Sequence, residues 1–240
     1  MSTATEYRYL GPDGEGIASL PAGVGAALGS EYCVHLLPSP GRMAEIAAAA
    51  SRRNPILLLT PYFRDEELKR AIPLFRAIPP SAEVDVAVND WGALRTARSL
   101  FPALRLSIGR LLSGQKRCPR IGSSPSLTPE GVAWHGEGLF SSPRARAYLE
   151  GEFGVSGYHV DDLPWGGGTA EGAGARGDAF LFLHEGYPLV TVSDACPWIG
   201  GVSSARLASC GRACREGAVR LSNRSMGSDL FQKGKARFAP

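Results

Sequence analysis

Long hydrophobic runs are missing from this sequence. Apolar stretches such as Ile56–Leu59 and Ala47–Ala50 fall far short of the roughly 20 residues that a membrane-spanning helix needs. The opening MSTATEYRYLGPDGEG has neither a basic n-region nor an apolar h-region, so no secretory signal is expected. An excess of one charge is missing too. With 26 Lys and Arg against 23 Asp and Glu, the formal charge is +3, which does not by itself argue for nucleic acid and does not exclude it. Hydrolase signatures are absent as well. There is no G-x-S-x-G elbow, and HEGYP at 184 and HGEG at 135 lack the second histidine of H-E-x-x-H.

What is present describes a folded chain. It has 240 residues, 44% of them hydrophobic and 20% charged, and Gly (30) and Pro (18) together make one fifth, below a low-complexity level. That length suits a single α/β domain over 1–240. A cytoplasmic protein without membrane association is expected.

The five cysteines carry the most chemistry: Cys33, Cys118, Cys196, Cys210 and Cys214. Without an export signal they are expected to stay reduced, as small hydrophobes, nucleophiles or metal ligands. Three of them lie in SDACPWIGGVSSARLASCGRACREG, spaced C-x13-C-x3-C. Their neighbours are Gly, Ser, Ala and Arg, a setting for ligands more than for a core. Structural zinc usually takes two short cysteine knuckles, and only Cys210 and Cys214 make one. A radical enzyme using S-adenosylmethionine would place a third cysteine where Gly217 stands. Iron–sulfur clusters need four thiolates but accept ligands from distant loops. Cys33 and Cys118 compete for the fourth place. Cys33, at the end of an expected strand EYCVHLL, lies where α/β sites gather. Cys118, flanked by Lys116, Arg117 and Arg120, suits a reactive thiol or has no role. The expected ligand set is therefore Cys33, Cys196, Cys210 and Cys214, holding an iron–sulfur cluster of either four-thiolate type, [4Fe–4S] or [2Fe–2S], with zinc as the alternative.

From residue 31 to about 110, short β-like runs alternate with helical ones. EYCVHLL precedes the helical RMAEIAAAASRRN, and PILLLTPYF precedes RDEELKRAIPLFRAI, which Pro73 is expected to kink or end early. AEVDVAVND alternates strictly, then WGALRTARSLF reads as helix and ALRLSIGRLL as strand. Four β–α repeats predict a parallel sheet, as a (β/α) barrel or part of one. Beyond, 113–142 reads as a loop or lid, SPRARAYLEGEF as a short helix capped by Ser142 with Pro143 at its first position, and VSGYHVDDLP as a strand. The segment 166–177 reads as a glycine-rich loop, AFLFLHEGYPLVTVSDAC as a hairpin or strand pair, and 220–240 as a basic tail. GVGAALG, near the start, lacks the context of a nucleotide-binding loop.

Asn89 and Asp90, at a strand end, are candidates for substrate binding, although Asp90 would equally cap the following helix. Arg110, Lys116, Arg117 and Arg120 form a basic run that suits a carboxylate or phosphate. Of these, Arg110, Lys116 and Arg120 are taken as substrate-binding candidates. His35, two residues from Cys33 on the expected strand, would share its face and could support the metal.

VNDWGAL at 88–94, IGRLLSGQKRCPR at 108–120 and the C-x13-C-x3-C-R element together resemble the collagenase-like peptidase family. The likeness is strongest to its UbiV-like branch of accessory proteins in oxygen-independent ubiquinone hydroxylation. It covers roughly residues 31–120 and 184–222. It implies a [4Fe–4S] cluster on a (β/α)-barrel-like scaffold, held by an early cysteine and a late trio. It also implies oxygen-independent hydroxylation with a homologous partner as a heterodimer, and a small anionic substrate or oxygen donor. Some members are called peptidases, but no residues here support that. A zinc-stabilised module that grips an anion through 110–120 is the alternative from another class.

Overall fold

The computed structural model describes residues 6–51, 54–165, 179–186, 188–193, 196–199, 210–222, 230–233 and 235–239. Contacts divide the chain into two units, Met1–Leu112 with Gly151–Ser156, and Ser113–Glu150 with Gly157–Pro240. The fold is mixed α/β. Seven strands form a parallel sheet in the order β1 (Tyr7–Tyr9), β2 (Gly25–Gly29), β3 (Ile56–Leu59), β4 (Val84–Val88), β5 (Arg105–Ile108), β6 (Val155–Asp161) and β7 (Phe180–His184). Sequential order with parallel pairing is what successive β–α units produce, and it is consistent with the expected partial (β/α) barrel.

In the first unit, three helices follow β2, β3 and β4. Helix α1 (Pro40–Ala49) starts at Ser39, whose Oγ accepts the Arg42 N–H at 3.2 Å, with Pro40 at its first position. Helix α2 (Asp65–Arg76) opens on Asp65, Glu66 and Glu67, which favour a helix N-terminus. Helix α3 (Trp91–Leu100) is capped by Asp90. These helices bury Met43, Ile46, Ala71, Leu74, Phe75, Ala93 and Leu94. Val84, Val86, Leu106 and Ile108 of the strands are buried as well. Each large side chain buried there contributes about 1.5–3 kcal/mol of transfer free energy.

Two expectations need correction here. EYCVHLL is not a strand: the strand before α1 is β2, from the discounted GVGAALG. Its small residues are all buried. Gly29 has φ +86, and the space a Cβ would take is filled by the Leu59 carbonyl, so only glycine fits. Cys33 follows four residues later in extended conformation and leads into a 3-10 turn, Val34–Leu36. His35 lies within that turn, so it does not share a strand face with Cys33. Of the two outcomes expected at Pro73, an early end of α2 does not occur, since the helix continues to Arg76. Pro73 is exposed, and so is Lys69, whose carbonyl loses the helical bond.

The second unit holds α4 (Pro129–Gly136), within the stretch read as a loop or lid, and the greater part of α5 (Pro143–Phe153) and β6. Strand β7 pairs parallel with β6, and Asp161 faces His184 in the register. The segment read as a strand pair, 179–196, divides instead: β7 joins the parallel sheet, whereas β8 (Leu189–Val192) enters a second, antiparallel one. That sheet has the order β8, β11 (Ala236–Phe238), β10 (Leu230–Lys233), β9 (Val219–Leu221). The expected basic tail therefore forms strands. The glycine-rich segment 166–177 lies outside the described residues. Among the described residues, no helix is long and apolar enough to cross a membrane.

Candidate functional site

At the C-terminal ends of the first unit's strands, the candidate polar residues hold the fold together. Asn89, 2% exposed, donates from Nδ2 to the Thr60 carbonyl and accepts the Leu111 N–H at Oδ1, both at 2.8 Å. Its side chain occupies the place where a Cβ on Gly109 would lie. Thr60 Oγ1 in turn donates to the Ala87 carbonyl at 2.8 Å. Asp90 accepts the Ala93 N–H at 2.8 Å, the geometry of a helix cap. Arg110 pairs with buried Glu31, its Nε at 2.8 Å from Glu31 Oε2.

The second unit buries another arginine of the basic run. Arg117 donates from Nε to Asp161, from a terminal nitrogen to Ser113 Oγ at 2.6 Å, and from the other to the Gln115 carbonyl at 3.3 Å. Gln115 brackets the Asp161 backbone, donating to its carbonyl at 2.9 Å and accepting its N–H at 2.8 Å. Lys116 and Arg120 are the exposed members of the run. Arg120 donates to Cys118 Sγ at 3.3 Å, and that bond raises the guanidinium's own pKa. On β6 and β7, fully buried His159 stacks on Phe182, with ring centroids 4.4 Å apart, and shares a 2.8 Å hydrogen bond between its Nδ1 and His184 Nε2. Nothing in the sequence flagged this pair, because the two residues are 25 positions apart and only the β6–β7 register joins them.

The cysteine trio gathers by topology. Val192 of β8 pairs with Ala236 of β11, Lys233 of β10 pairs with Ala236, and Gln232 pairs with Val219 of β9. The C-terminal end of β8, the β10–β11 connection and the start of β9 therefore share one end of the antiparallel sheet. The Ser193 N–H extends that end by donating to the Lys235 carbonyl at 3.0 Å. Cys196 follows β8 by four residues, and Cys214 precedes β9 by five. Cys214 sits in a 3-10 turn, Ala213–Arg215, entered through Arg212 in left-handed conformation at φ 58. Cys196 and Cys214 are buried, and Cys210 is half-buried.

Burial pushes the Cys214 thiol up, and the charges of Cys196 and Cys210 push it further, against a smaller opposite pull from Lys233. A thiol held protonated in this way is one that a bound cation would help to ionise. Yet among the described residues no three His, Cys, Asp or Glu stand arranged as a metal-holding group. The trio is gathered without being closed around a centre. Cys33, in the first unit, is buried, and Cys118 is half-buried. Compared with known proteins, the chain matches no family model, no curated protein and no solved structure.

Proposed function

We propose that the chain is an iron–sulfur protein that supports an oxygen-independent redox modification, of hydroxylation type, together with a homologous partner subunit. The observation that carries this reading is the gathering of Cys196, Cys210 and Cys214 at one end of the small antiparallel sheet. Their Gly-, Ser- and Arg-rich surroundings give core packing little reason to collect three thiols there. The ligand set carried over from the sequence adds Cys33. A cubane on four protein thiolates leaves no iron open to substrate, so the cluster's task is electron transfer or structure. A small anionic substrate or oxygen donor would meet Lys116 and Arg120, since Arg110 and Arg117 are committed to buried carboxylates.

Structural zinc is the second reading, favoured by the C-x3-C turn leading directly into a short antiparallel sheet. One experiment separates the two. The protein is purified anaerobically and analysed for iron, sulfide and zinc, with a visible spectrum. About four irons per chain, as a four-thiolate cubane requires, support the cluster, whereas zinc in a colourless protein overturns it. Cys33→Ser is expected to lower the metal content and Cys118→Ser to leave it unchanged. The opposite pattern would replace Cys33 with Cys118 in the ligand set.

A further inference from the structure

The end of the antiparallel sheet that gathers the cysteine flanks also carries two lysines. Lys233 ends β10 and pairs with Ala236, which begins β11, and Lys235 lies in the turn between them. The Ser193 N–H, three residues before Cys196, donates to the Lys235 carbonyl at 3.0 Å, so the turn is fastened to the segment that leads to that thiol. Lys235 is only 6% exposed, and Lys233 is half-buried. Among the described residues, neither side chain makes a hydrogen bond or an ion pair. A lysine is almost never buried this far without a partner, because taking an ammonium out of water is costly unless a negative charge meets it. The other cations of this region differ. Arg237 of β11 is exposed and donates to Gln232 Oε1 at 3.4 Å, and Arg212 and Arg215, beside Cys214, have partners of their own. The Lys233 charge reaches Cys214, where it opposes the rise of the thiol.

We infer that Lys235, seconded by Lys233, is the countercharge of the metal–thiolate centre at this sheet end: an ammonium that meets no carboxylate of the described residues balances the negative charge that the thiolates bring once they bind metal. This deepens the reading of the cysteines as ligands and rests on it. The thiolates of a four-cysteine site outweigh the positive charge of zinc or of an oxidised iron–sulfur core, so the centre is anionic in either case. One-electron reduction of a cluster adds a further negative charge and breaks no bond at the lysines. Opposite charges in a buried setting attract strongly and are little screened by salt. The lysines therefore stabilise the reduced state more than the oxidised one and raise the reduction potential, Lys235 by the larger step because it is the deeper of the two. They ligate nothing and act only through the charge of the centre.

The test uses the full chain loaded anaerobically with iron and sulfide, as wild type, Lys235→Met, Lys235→Arg, Lys233→Met and the exposed control Arg237→Met. Iron and sulfide are counted first. The cluster is then titrated with dithionite, which supplies the electron through redox mediators, and its reduced form is read by EPR. Metal content is expected to match wild type throughout. Lys235→Met should shift the reduction equilibrium about tenfold toward the oxidised state, about 59 mV for one electron, and Lys233→Met should shift it the same way by less. Lys235→Arg keeps the charge and Arg237→Met removes one already screened by water, so both should stay at the wild-type potential. A loaded cluster whose potential Lys235→Met leaves in place overturns the inference alone, whereas a wild-type chain that takes up no metal overturns it together with the reading beneath it. If the chain holds zinc instead, chelator competition replaces the titration: Lys235→Met should weaken zinc about tenfold, and equal affinity overturns the inference. If Lys235→Met takes up no cluster, Lys233→Met decides, and an unchanged potential there overturns it.

Discussion

Replacing Asn89 with alanine tests whether the strand-end polar residues are architecture or binding apparatus. The carboxamide joins three strand ends, through the Thr60 carbonyl after β3, its own place after β4, and the Leu111 N–H after β5. Alanine strands both backbone groups. Each orphaned buried group costs about 1–3 kcal/mol. Leu111 is only half-buried, so water can partly replace the lost acceptor there. A total of about 2–4 kcal/mol is therefore expected, a large fraction of the usual stability of a domain. Asn89→Asp is sharper. Its carboxylate can still accept from Leu111, but it turns an oxygen toward the Thr60 carbonyl, so at neutral pH it should cost at least as much as alanine. Lowering the pH should restore part of the loss, since a protonated carboxyl can donate to that carbonyl. Urea unfolding reads both effects as a shift of midpoint at constant slope. A loss below about 0.5 kcal/mol for both variants, the range of an ordinary surface substitution, would refute the reasoning and return Asn89 to the list of ligand-binding residues.

Asp90→Ala should cost about 1 kcal/mol through the lost cap of α3, measurable as a lower Tm with unchanged metal content. Glu31→Gln leaves the buried Arg110 guanidinium without its ion-pair partner, and a loss of about 3–5 kcal/mol is expected; replacing both residues with apolar ones of similar volume should recover most of it. In metal-free protein Cys214, buried and with its thiol pushed up by burial and by its two cysteine neighbours, should react with iodoacetamide more slowly than half-buried Cys118. Timed alkylation with peptide mass spectrometry checks this, and raising the pH should speed Cys214; equal rates at neutral pH would contradict it.

The alternation of Val84, Val86 and Val88 with the cap at Asp90 made β4 and α3 readable, because one period and one stop signal sufficed. Strand β2 hid because GAALG has small residues apart from Leu28 and no alternation: its burial comes from neighbours on both sides. The antiparallel sheet hid for another reason. Its strands are three or four residues long and carry Arg220, Lys233 and Arg237, so locally they read as a basic tail; pairing alone makes them strands. Of the basic run, sequence gave the residue types but not their partners. Arg110 finds Glu31 across 79 positions and Arg117 finds Asp161 across 44, distances over which no local pattern speaks. The spacing of the cysteine trio was plain in the sequence, but the register that brings its flanks to one sheet end was not.

The order of the small sheet has a consequence for biosynthesis. Of its four strands, β11 is the last to leave the ribosome, yet it sits between β8 and β10. Until residues 236–238 are in place, the strand that leads to Cys196 has no hydrogen-bonded connection to the strands that follow Cys214. Three thiols emerging in succession are therefore not yet a site. The gathering of the cysteines' flanks at this end of the sheet waits for β11, a strand that carries no cysteine.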